Sequence, residues 1–272
     1  MTHPFILKSL SVLVLGVFSP AVCGAATLVF GEDFDDLEAG TAITTGNTDF
    51  GGASASNGKI LAIESTVGTG ASLQLTGATA SNPPAGAWVG AAGLGSLTTM
   101  TMGFSMNLES LGGGRLAFYM GSGNTVSNMG NTNVNDDHFL WDVGVNGATG
   151  RLEYRNSTGY VNLGPDTLVL TPGGDYQFLI QVNSTSSDVD GVAAGSMNLY
   201  LNGELVASGL GLKGTGSASA FRIGARGATT ADGLVAEFDD IRIWNGVQPI
   251  PEPGSVALAA SGALLMLRRS RR

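Results

Sequence analysis

The chain of 272 residues is poor in the side chains that most often carry catalytic or metal-binding chemistry. Cys23 is its only cysteine, and His138 is its only histidine apart from His3. Cys23 and His3 both lie in an N-terminal stretch with the features of a leader, so a processed form has no thiol and one imidazole. A disulfide framework, thiolate catalysis and a zinc site with several histidine or cysteine ligands are therefore excluded.

Charge is also scarce, and it is unevenly placed. Charged residues make up 13% of the chain, and five of the 13 basic residues lie near its two ends, which leaves eight for residues 27–250. The same span holds 21 of the 22 acidic residues, so its net charge is −13. Such a surface repels a phosphate backbone and attracts cations. We therefore expect no nucleic-acid partner.

Glycine, which is a poor helix former, is abundant at 42 residues. Apolar residues alternate with polar or small ones in MTMGFSMNL (100–108) and YQFLIQVN (176–183), and in FLWDVGV (139–145), where Trp141 falls on the apolar side. Alternation with a period of two indicates half-buried antiparallel strands. Asn202-Gly203 predicts a two-residue hairpin turn, and Asn146-Gly147 predicts a hairpin with a longer loop. We expect about a dozen strands and one all-β domain.

The two ends of the chain differ from the body. Lys8 precedes an apolar stretch, Leu10–Phe18, and small residues follow at Ala21–Ala26. That order is typical of a secretory signal peptide, here residues 1–26, with cleavage after Ala25 or Ala26.

The C-terminal end, residues 250–272, begins with a rigid Pro251-Glu252-Pro253 motif. An apolar run of 14 residues without charge follows, Gly254–Leu267. A helix of that length spans about 21 Å, which is short of a hydrocarbon core of roughly 30 Å but sufficient as a stop-transfer element. Basic residues are retained on the cytoplasmic side of a membrane. The basic cluster that ends the chain consists of Arg268, Arg269, Arg271 and Arg272.

This tripartite tail resembles the PEP-CTERM sorting signal of exported bacterial proteins. The resemblance implies an exosortase-type sorting enzyme and the secretion machinery as partners. It also implies that the protein meets the membrane only through the tail before processing. The expected location is the cell envelope, the outer surface or the extracellular space.

The body, residues 27–249, resembles the laminin-G-like, concanavalin A-like jelly rolls. Three stretches carry the resemblance, namely VFGEDFDDL near its start, MNLYLNGELVASG late in the chain and AEFDDIRIWNG at its end. The resemblance implies a two-sheet antiparallel sandwich whose first and last strands pair. It also implies that ligands bind on a concave sheet face or on the rim loops.

Asp239 and Asp240 interrupt the alternation of the last strand, because the apolar positions step from Phe238 to Ile241 and Ile243. Such a phase slip predicts a β-bulge that turns carboxylates away from the regular ladder. Pairing of the terminal strands would bring these two residues close to acidic residues near the start of the body. Relatives of this fold often hold a structural calcium there, which predicts ligands at Glu32, Asp33, Asp239 and Asp240. Solvated carboxylates that protect a sheet edge are the alternative.

Two further groups are candidates for ligand binding. Asp136, Asp137 and His138 precede a strand and would form a rim-loop site, or simply a polar turn. Tyr119 and Tyr200 fall on the polar side of their strands and could stack on a sugar ring, although tyrosine is common in strands regardless of function.

No catalytic residue is assigned from the sequence. No G-x-S-x-G elbow is present, and Glu153, between Arg151 and Arg155, is interpreted as part of a cross-strand charge pattern. We expect an exported protein that binds polysaccharide or a matrix partner. A polysaccharide hydrolase or lyase on the same fold and a purely structural matrix component remain the alternatives.

Overall fold

The computed structural model describes residues 26–56, 59–77, 86–122, 139–164, 168–226 and 233–250. Every regular element within these ranges is a β-strand, and none of them contains a helix long and apolar enough to cross a membrane. The predicted signal peptide, the Pro251-Glu252-Pro253 motif and the apolar tail segment lie outside the described residues.

Within these ranges, fifteen strands form two antiparallel sheets. Their bounds are β1 Thr27–Glu32, β2 Gly52–Ser56, β3 Lys59–Glu64, β4 Ala71–Thr76, β5 Gly86–Leu97, β6 Thr99–Ser110, β7 Arg115–Gly121, β8 Phe139–Asn146, β9 Leu152–Arg155, β10 Tyr160–Asn162, β11 Gly174–Asn183, β12 Ser196–Leu201, β13 Glu204–Gly211, β14 Ala218–Arg226 and β15 Val235–Asn245. The eight-stranded sheet has the order β13-β12-β11-β6-β15-β4-β3, with β1 also pairing with β15. The seven-stranded sheet has the order β10-β9-β8-β7-β14-β5-β2.

The two sheets pack face to face around one apolar core. Phe118 of the seven-stranded sheet lies among three phenylalanines of the other sheet, with ring centroids 4.7 Å from Phe104, 5.4 Å from Phe178 and 5.9 Å from Phe238. These side chains are almost completely buried. Burial of such rings is the main favourable contribution to folding, and offset or edge-to-face contacts add to it.

The predicted alternation is confirmed in the strands of the core. In β6, Met100, Met102, Met106 and two further apolar side chains at positions 104 and 108 belong to the core cluster. Trp141 is fully buried in that cluster, as predicted. Asn202 and Gly203 form the two-residue turn between β12 and β13, and both have the positive φ that this turn requires.

The first and last strands pair antiparallel, from Thr27 opposite Asn245 to Glu32 opposite Ile241. The predicted bulge is also present, because the register between β15 and β6 shifts between Asp239 and Arg242. Asp240 has a φ of 52°, a left-handed conformation that bulges use to re-aim the chain.

Candidate functional site

The outer face of the seven-stranded sheet, which points away from the core, carries an unusual set of side chains. In β7, Phe118 points into the core, so its neighbour Tyr119 and the first residue, Arg115, lie on the outer face. The same alternation places one or more polar or aromatic residues of each neighbouring strand on this face. They are Trp88 of β5, Asp142 of β8, Glu153 of β9 and Arg222 of β14.

A row of small residues crosses this face at right angles to the strands. The pairing registers place six residues from six adjacent strands in one line, with three small residues in the middle: Trp88, Gly224, Ala117, Gly144, Glu153 and Asn162. Adjacent strands lie 4.7–4.9 Å apart, so the line is about 24 Å long. Larger side chains stand on either side of it, and the guanidinium of Arg115 lies over Gly144.

Arg115 is the centre of the polar groups on this face. Its Nη2 lies 2.7 Å from Oδ1 of Asp142, and its Nε lies 3.5 Å from Oε2 of Glu153. The guanidinium reaches both carboxylates by crossing Gly144, where a Cβ atom would stand 2.7 Å from its Cζ atom. Asn146 donates a 2.8 Å hydrogen bond to Oε1 of Glu153. Burial lowers the pKa of Arg115, but the charges of its neighbours outweigh burial and raise it overall.

Tyr160 lies above this cluster at the edge of the sheet. The guanidinium carbon of Arg115 is 4.3 Å from the centroid of its ring, and that of Arg155 is 5.0 Å away. The Tyr160 hydroxyl donates a 3.4 Å hydrogen bond to Oδ2 of Asp142. Tyr160 is 41% exposed. Its ring contacts the buried guanidinium of Arg115 and is also partly open to solvent.

Tyr119 lies on the outer face as predicted, but it is not open to solvent. Only 7% of the residue is exposed, because the Phe139 ring packs against it edge to face at 4.6 Å. The guanidinium carbon of Arg222 is 6.0 Å from its ring centroid and 4.0 Å from that of Trp88. Trp88 is only partly buried, so it is the more accessible of these two aromatic residues.

Tyr200 lies on the opposite side of the sandwich. It lines an open depression of about 220 Å³ on the outer face of the eight-stranded sheet, together with Trp244, Asp240 and Arg242. The indole of Trp244 lies close to Gly103, where a Cβ atom would be 3.2 Å from Cζ3. Tyr119 and Tyr200 therefore cannot contribute to one sugar-binding surface, because they belong to different sheets.

Glu32 and Asp33, two of the predicted calcium ligands, line an open depression of about 350 Å³ beside Asp36 and Asp49. The carboxylate of Glu32 accepts hydrogen bonds from the backbone N–H groups of Asp49 at 2.7 Å and Phe34 at 3.1 Å. Burial raises the pKa of Glu32, and these two hydrogen bonds oppose that effect.

Asp239 and Asp240, the other two predicted ligands, lie in different environments. Asp240 is half exposed and lies 2.7 Å from Arg242. Asp239 is 2% exposed, and its carboxylate accepts hydrogen bonds from the Ser65 hydroxyl at 2.9 Å and from the Asp240 backbone at 2.7 Å. Burial raises the pKa of Asp239 to about 6, against the lowering effect of these hydrogen bonds.

The loop of residues 65–70 packs closely against two carboxylates. A Cβ atom at Gly68 would collide with the carboxylate of Asp239, and one at Gly70 would collide with that of Asp35. The charge of Asp35 contributes to the raised pKa of Asp239. Asp35 and Asp239 are therefore the two carboxylates that lie against this loop. The four residues predicted as calcium ligands are not gathered around one point.

Within the described ranges, no group of three or more histidine, cysteine, aspartate or glutamate side chains is arranged to hold a metal ion. Calcium binding therefore stays a prediction. Asp136, Asp137 and His138, the predicted rim-loop group, lie outside the described residues.

Sequence reasoning did not identify the central residues of the outer face. Trp88 and Arg222 were not singled out, and Glu153 was assigned to a charge pattern with Arg151 and Arg155. Its carboxylate makes a cross-strand contact with Arg115, which lies two strands away. The usable signal was the position of Arg115 and Tyr119 on the polar side of an otherwise apolar strand.

Replacement of Arg115 by methionine is expected to lower the free energy of unfolding by about 3–5 kcal/mol, because Asp142 and Glu153 would be left buried without a counter-charge. Chemical denaturation measures this change. The control is the triple variant Arg115→Met, Asp142→Asn, Glu153→Gln, which should recover most of the loss. Equal losses in the single and triple variants would show that Arg115 does not stabilise the fold by neutralising Asp142 and Glu153.

The raised pKa of Asp239 predicts a pH dependence of stability. A carboxyl group that binds protons more tightly in the folded state stabilises the fold below its unfolded pKa, and this contribution is lost as pH rises through about 6. In chelator, the free energy of unfolding of Asp239→Asn should therefore rise by about 1–2 kcal/mol relative to that of the wild type as the pH increases from 4 to 7. Denaturation at several pH values measures this. An unchanged difference across that range would show that Asp239 titrates normally.

No protein-family model and no curated protein sequence matches this chain. Among solved structures, it is similar to domain 4 of AbnA, an extracellular GH43 arabinanase from Geobacillus stearothermophilus solved in complex with arabinotriose. The two are 18% identical with a TM-score of 0.51, and the match covers 83% of this chain and 95% of that one.

Two further structures are similar at the same level. The cellulose-induced protein Cip1 is 15% identical with a TM-score of 0.52, and the match covers 79% of this chain and 96% of that one. A carbohydrate esterase from the Shiga toxin-encoding bacteriophage phi24B is 12% identical with a TM-score of 0.52. The match covers 82% of this chain and 100% of that one. At these identities the likeness shows a shared fold, which is an all-β sandwich of two antiparallel sheets.

Proposed function

We propose that this chain is an exported polysaccharide-binding protein with a concanavalin A-like jelly roll, and that glycan binds across the outer face of the seven-stranded sheet. The observation that carries this proposal is the row of small residues from Trp88 to Asn162 described above. Gly224 and Ala117 carry no long side chain, and the Arg115 guanidinium lies over Gly144. Trp88 stands at one end of the row, and Glu153 and Asn162 stand at the other.

The chemistry of this face suits a sugar chain. A sugar ring has apolar C–H faces that pack on an aromatic ring, and hydroxyl groups that bond best to charged or amide partners. Trp88 and Tyr160 offer partly exposed rings near opposite ends of the face. Arg115 and its carboxylates are already held in place by one another, so little side-chain entropy is lost when a ligand binds near them.

The structural neighbours support the proposal at the level of fold. One of them was solved with arabinotriose, and another is named a carbohydrate esterase. The ligand of this chain is inferred from its own outer face, because a fold alone does not determine a ligand.

Binding is favoured over hydrolysis or elimination by the environment of Asp142 and Glu153. Both carboxylates interact with the single guanidinium of Arg115. Both residues are also buried, so neither carboxylate is open to a bound sugar. The two carboxylates are therefore better suited to hold Arg115 than to act as an acid and base pair. The domain would therefore bind a glycan and would not cleave it.

Export and sorting complete the proposal and rest on the sequence of the two ends. Residues 1–26 would direct secretion, and Pro251-Glu252-Pro253 with the apolar run and arginine cluster would direct an exosortase-type enzyme. The mature domain would then act at the cell surface or in the extracellular matrix.

Replacement of Trp88 by alanine is expected to weaken glycan binding by about tenfold or more, since aromatic anchors dominate binding energy at such surfaces. Isothermal titration or affinity electrophoresis against arabinan, cellulose, dextran and polygalacturonate would measure it. The matched control is Trp244→Ala, which removes the same side chain from the outer face of the other sheet. Loss of binding in the Trp244 variant alone would place the site around Tyr200, and no binding by the wild type would overturn the proposal.

We also propose a structural calcium ion between the segment after β1 and the loop of residues 65–70, with Asp35 and Asp239 as its acidic ligands. Two carboxylates beside one loop repel each other unless a cation neutralises them, and calcium accepts oxygen ligands in flexible number. The ion would tie the terminal strands to β4, and it would relieve the unfavourable burial of Asp239.

Calcium is expected to raise the melting temperature of the wild type by several degrees relative to chelator, because it binds only the folded state. Differential scanning fluorimetry measures the shift. Asp239→Asn and Asp35→Asn should each abolish it, whereas Asp33→Asn, with its exposed side chain, should retain it. A wild type that melts identically in calcium and chelator would exclude the ion.

A further inference from the structure

The residues that follow β15 are fastened to the outer face of the eight-stranded sheet. The Thr101 hydroxyl donates a 3.0 Å hydrogen bond to the carbonyl oxygen of Gly246 and accepts one of 2.9 Å from the backbone N–H of Gln248. Gln181 donates a 2.7 Å hydrogen bond to the carbonyl oxygen of Gln248, and Val247 is 3% exposed. Because Thr101 belongs to β6 and Gln181 to β11, the chain crosses the sheet from β15 toward β12.

This path leads to the depression of about 220 Å³ that Ile250, the last described residue, helps to line. The partly buried side chains of Trp244, Tyr200 and Leu179 line it as well. The Trp244 indole lies over Gly103 and beside Leu179, since a Cβ atom on Gly103 would be 3.2 Å from Cζ3 of Trp244 and 3.4 Å from Cδ1 of Leu179. The depression therefore offers a partly exposed apolar surface that gains from being covered.

One side of the same depression carries a cation. Arg242 lines it, and its Nη2 is 2.7 Å from Oδ1 of Asp240. The Arg242 side chain is 49% exposed. A guanidinium has five N–H donors in a planar fork, so it can bind a second carboxylate while it keeps the first. Aromatic rings and an accessible guanidinium thus stand around one depression.

The sequence that continues from Ile250 matches this depression. Proline occupies positions 249, 251 and 253, and Glu252 is the one charged residue between positions 246 and 267. Each proline fixes its own φ and disfavours the helical region for the residue before it, so the sequence predicts an extended, polyproline-like segment. Three such residues span about 9 Å. The lining residues of the depression belong to four adjacent strands, from β15 to β12, which extend over about 14 Å. The depression is therefore long enough for the motif.

We infer that Pro251-Glu252-Pro253 binds in this depression in the full chain, with its prolines against the rings of Trp244 and Tyr200 and its carboxylate beside Arg242. Proline-rich segments suit grooves lined by aromatic residues, because they are already extended and lose little chain entropy on binding. Attachment at Ile250 makes the binding intramolecular, and a short tether gives an effective concentration in the millimolar range. A weak intrinsic affinity is therefore sufficient to fill the depression.

The docked motif would control its own processing. An enzyme that binds Pro-Glu-Pro has to displace it from the domain first, so cleavage would depend on how often the depression releases the segment. This consequence rests on the proposed sorting signal, whereas docking itself does not. Docking is also independent of the proposed glycan site, which lies on the other sheet.

Digestion of the full chain by a proline-specific endoprotease tests the inference, because such an enzyme cuts the motif only after release. Cleavage after Pro251 or Pro253, followed by mass spectrometry, should be about tenfold or more slower in the wild type than in Trp244→Ala. Arg242→Gln should be cut roughly two- to fivefold faster than the wild type, which corresponds to the loss of one exposed ion pair. The matched control Trp88→Ala removes an indole from the other sheet and should be cut as the wild type is.

A second measurement uses a free peptide of residues 249–255 as a competitor. Calorimetric titration should show that it binds the full chain carrying Pro251→Gly, Glu252→Ser and Pro253→Gly with a Kd of about 1 mM or below, since weaker binding could not fill the depression intramolecularly. The same chain with Trp244→Ala should not bind it, and the wild type should bind it about tenfold more weakly or less, because its own motif competes. Melting temperatures establish that each variant folds.

Equal cleavage of the wild type, Trp244→Ala and Trp88→Ala would overturn the inference, and so would a peptide that does not bind at several times that concentration (roughly 5 mM). Protection that increases with protein concentration would assign the depression to the tail of a second copy. Loss of glycan binding in Trp244→Ala, without faster cleavage, would assign it to a sugar. Both results would exclude intramolecular docking.

Discussion

The position of β15 is the constraint on which the rest of the fold depends. This last strand lies inside the eight-stranded sheet and pairs with three partners. β6 borders one side along most of its length, and β4 and β1 share the other side. The sheet therefore cannot close until residues 235–245 are in place. A fold completed by contacts between the two ends of the sequence has a high contact order, and we expect it to fold slowly.

The bulge at Asp239 and Asp240 has a physical reason in the same strand. Residues 235–238 pair with β4, and residues 241–245 pair with β1. The two bulged residues lie at the gap between these partners, where the ladder has no strand on that side. A gap of this kind admits the loop of residues 65–70, and it leaves a carboxylate buried beside that loop. The raised pKa of Asp239 is thus a consequence of how β15 divides its pairing, and not an isolated feature.

The sequence predicted the architecture better than it predicted the site. Alternation identified the strands of the core and the side of Tyr119, and a broken alternation located the bulge, because both are properties of neighbouring residues. The site could not be found in that way. Trp88, Arg115 and Glu153 come together because β5, β14, β7, β8 and β9 are neighbours in space, and that order is set by pairing between distant segments. Arg115 could not be identified as a partner of Glu153 from its sequence neighbours for this reason.

The two outer faces of the sandwich have different relations to the end of the chain. After β15, the backbone of Gln248 receives a 2.7 Å hydrogen bond from Gln181 and donates one of 2.9 Å to Thr101. Ile250 lines the depression beside Tyr200. The chain therefore leaves the domain across the eight-stranded sheet. The last described residue, Ile250, lies on the side of the sandwich away from the proposed glycan-binding face. The proposed glycan site and the segment that leads to the proposed sorting tail therefore do not compete for one face of the sandwich.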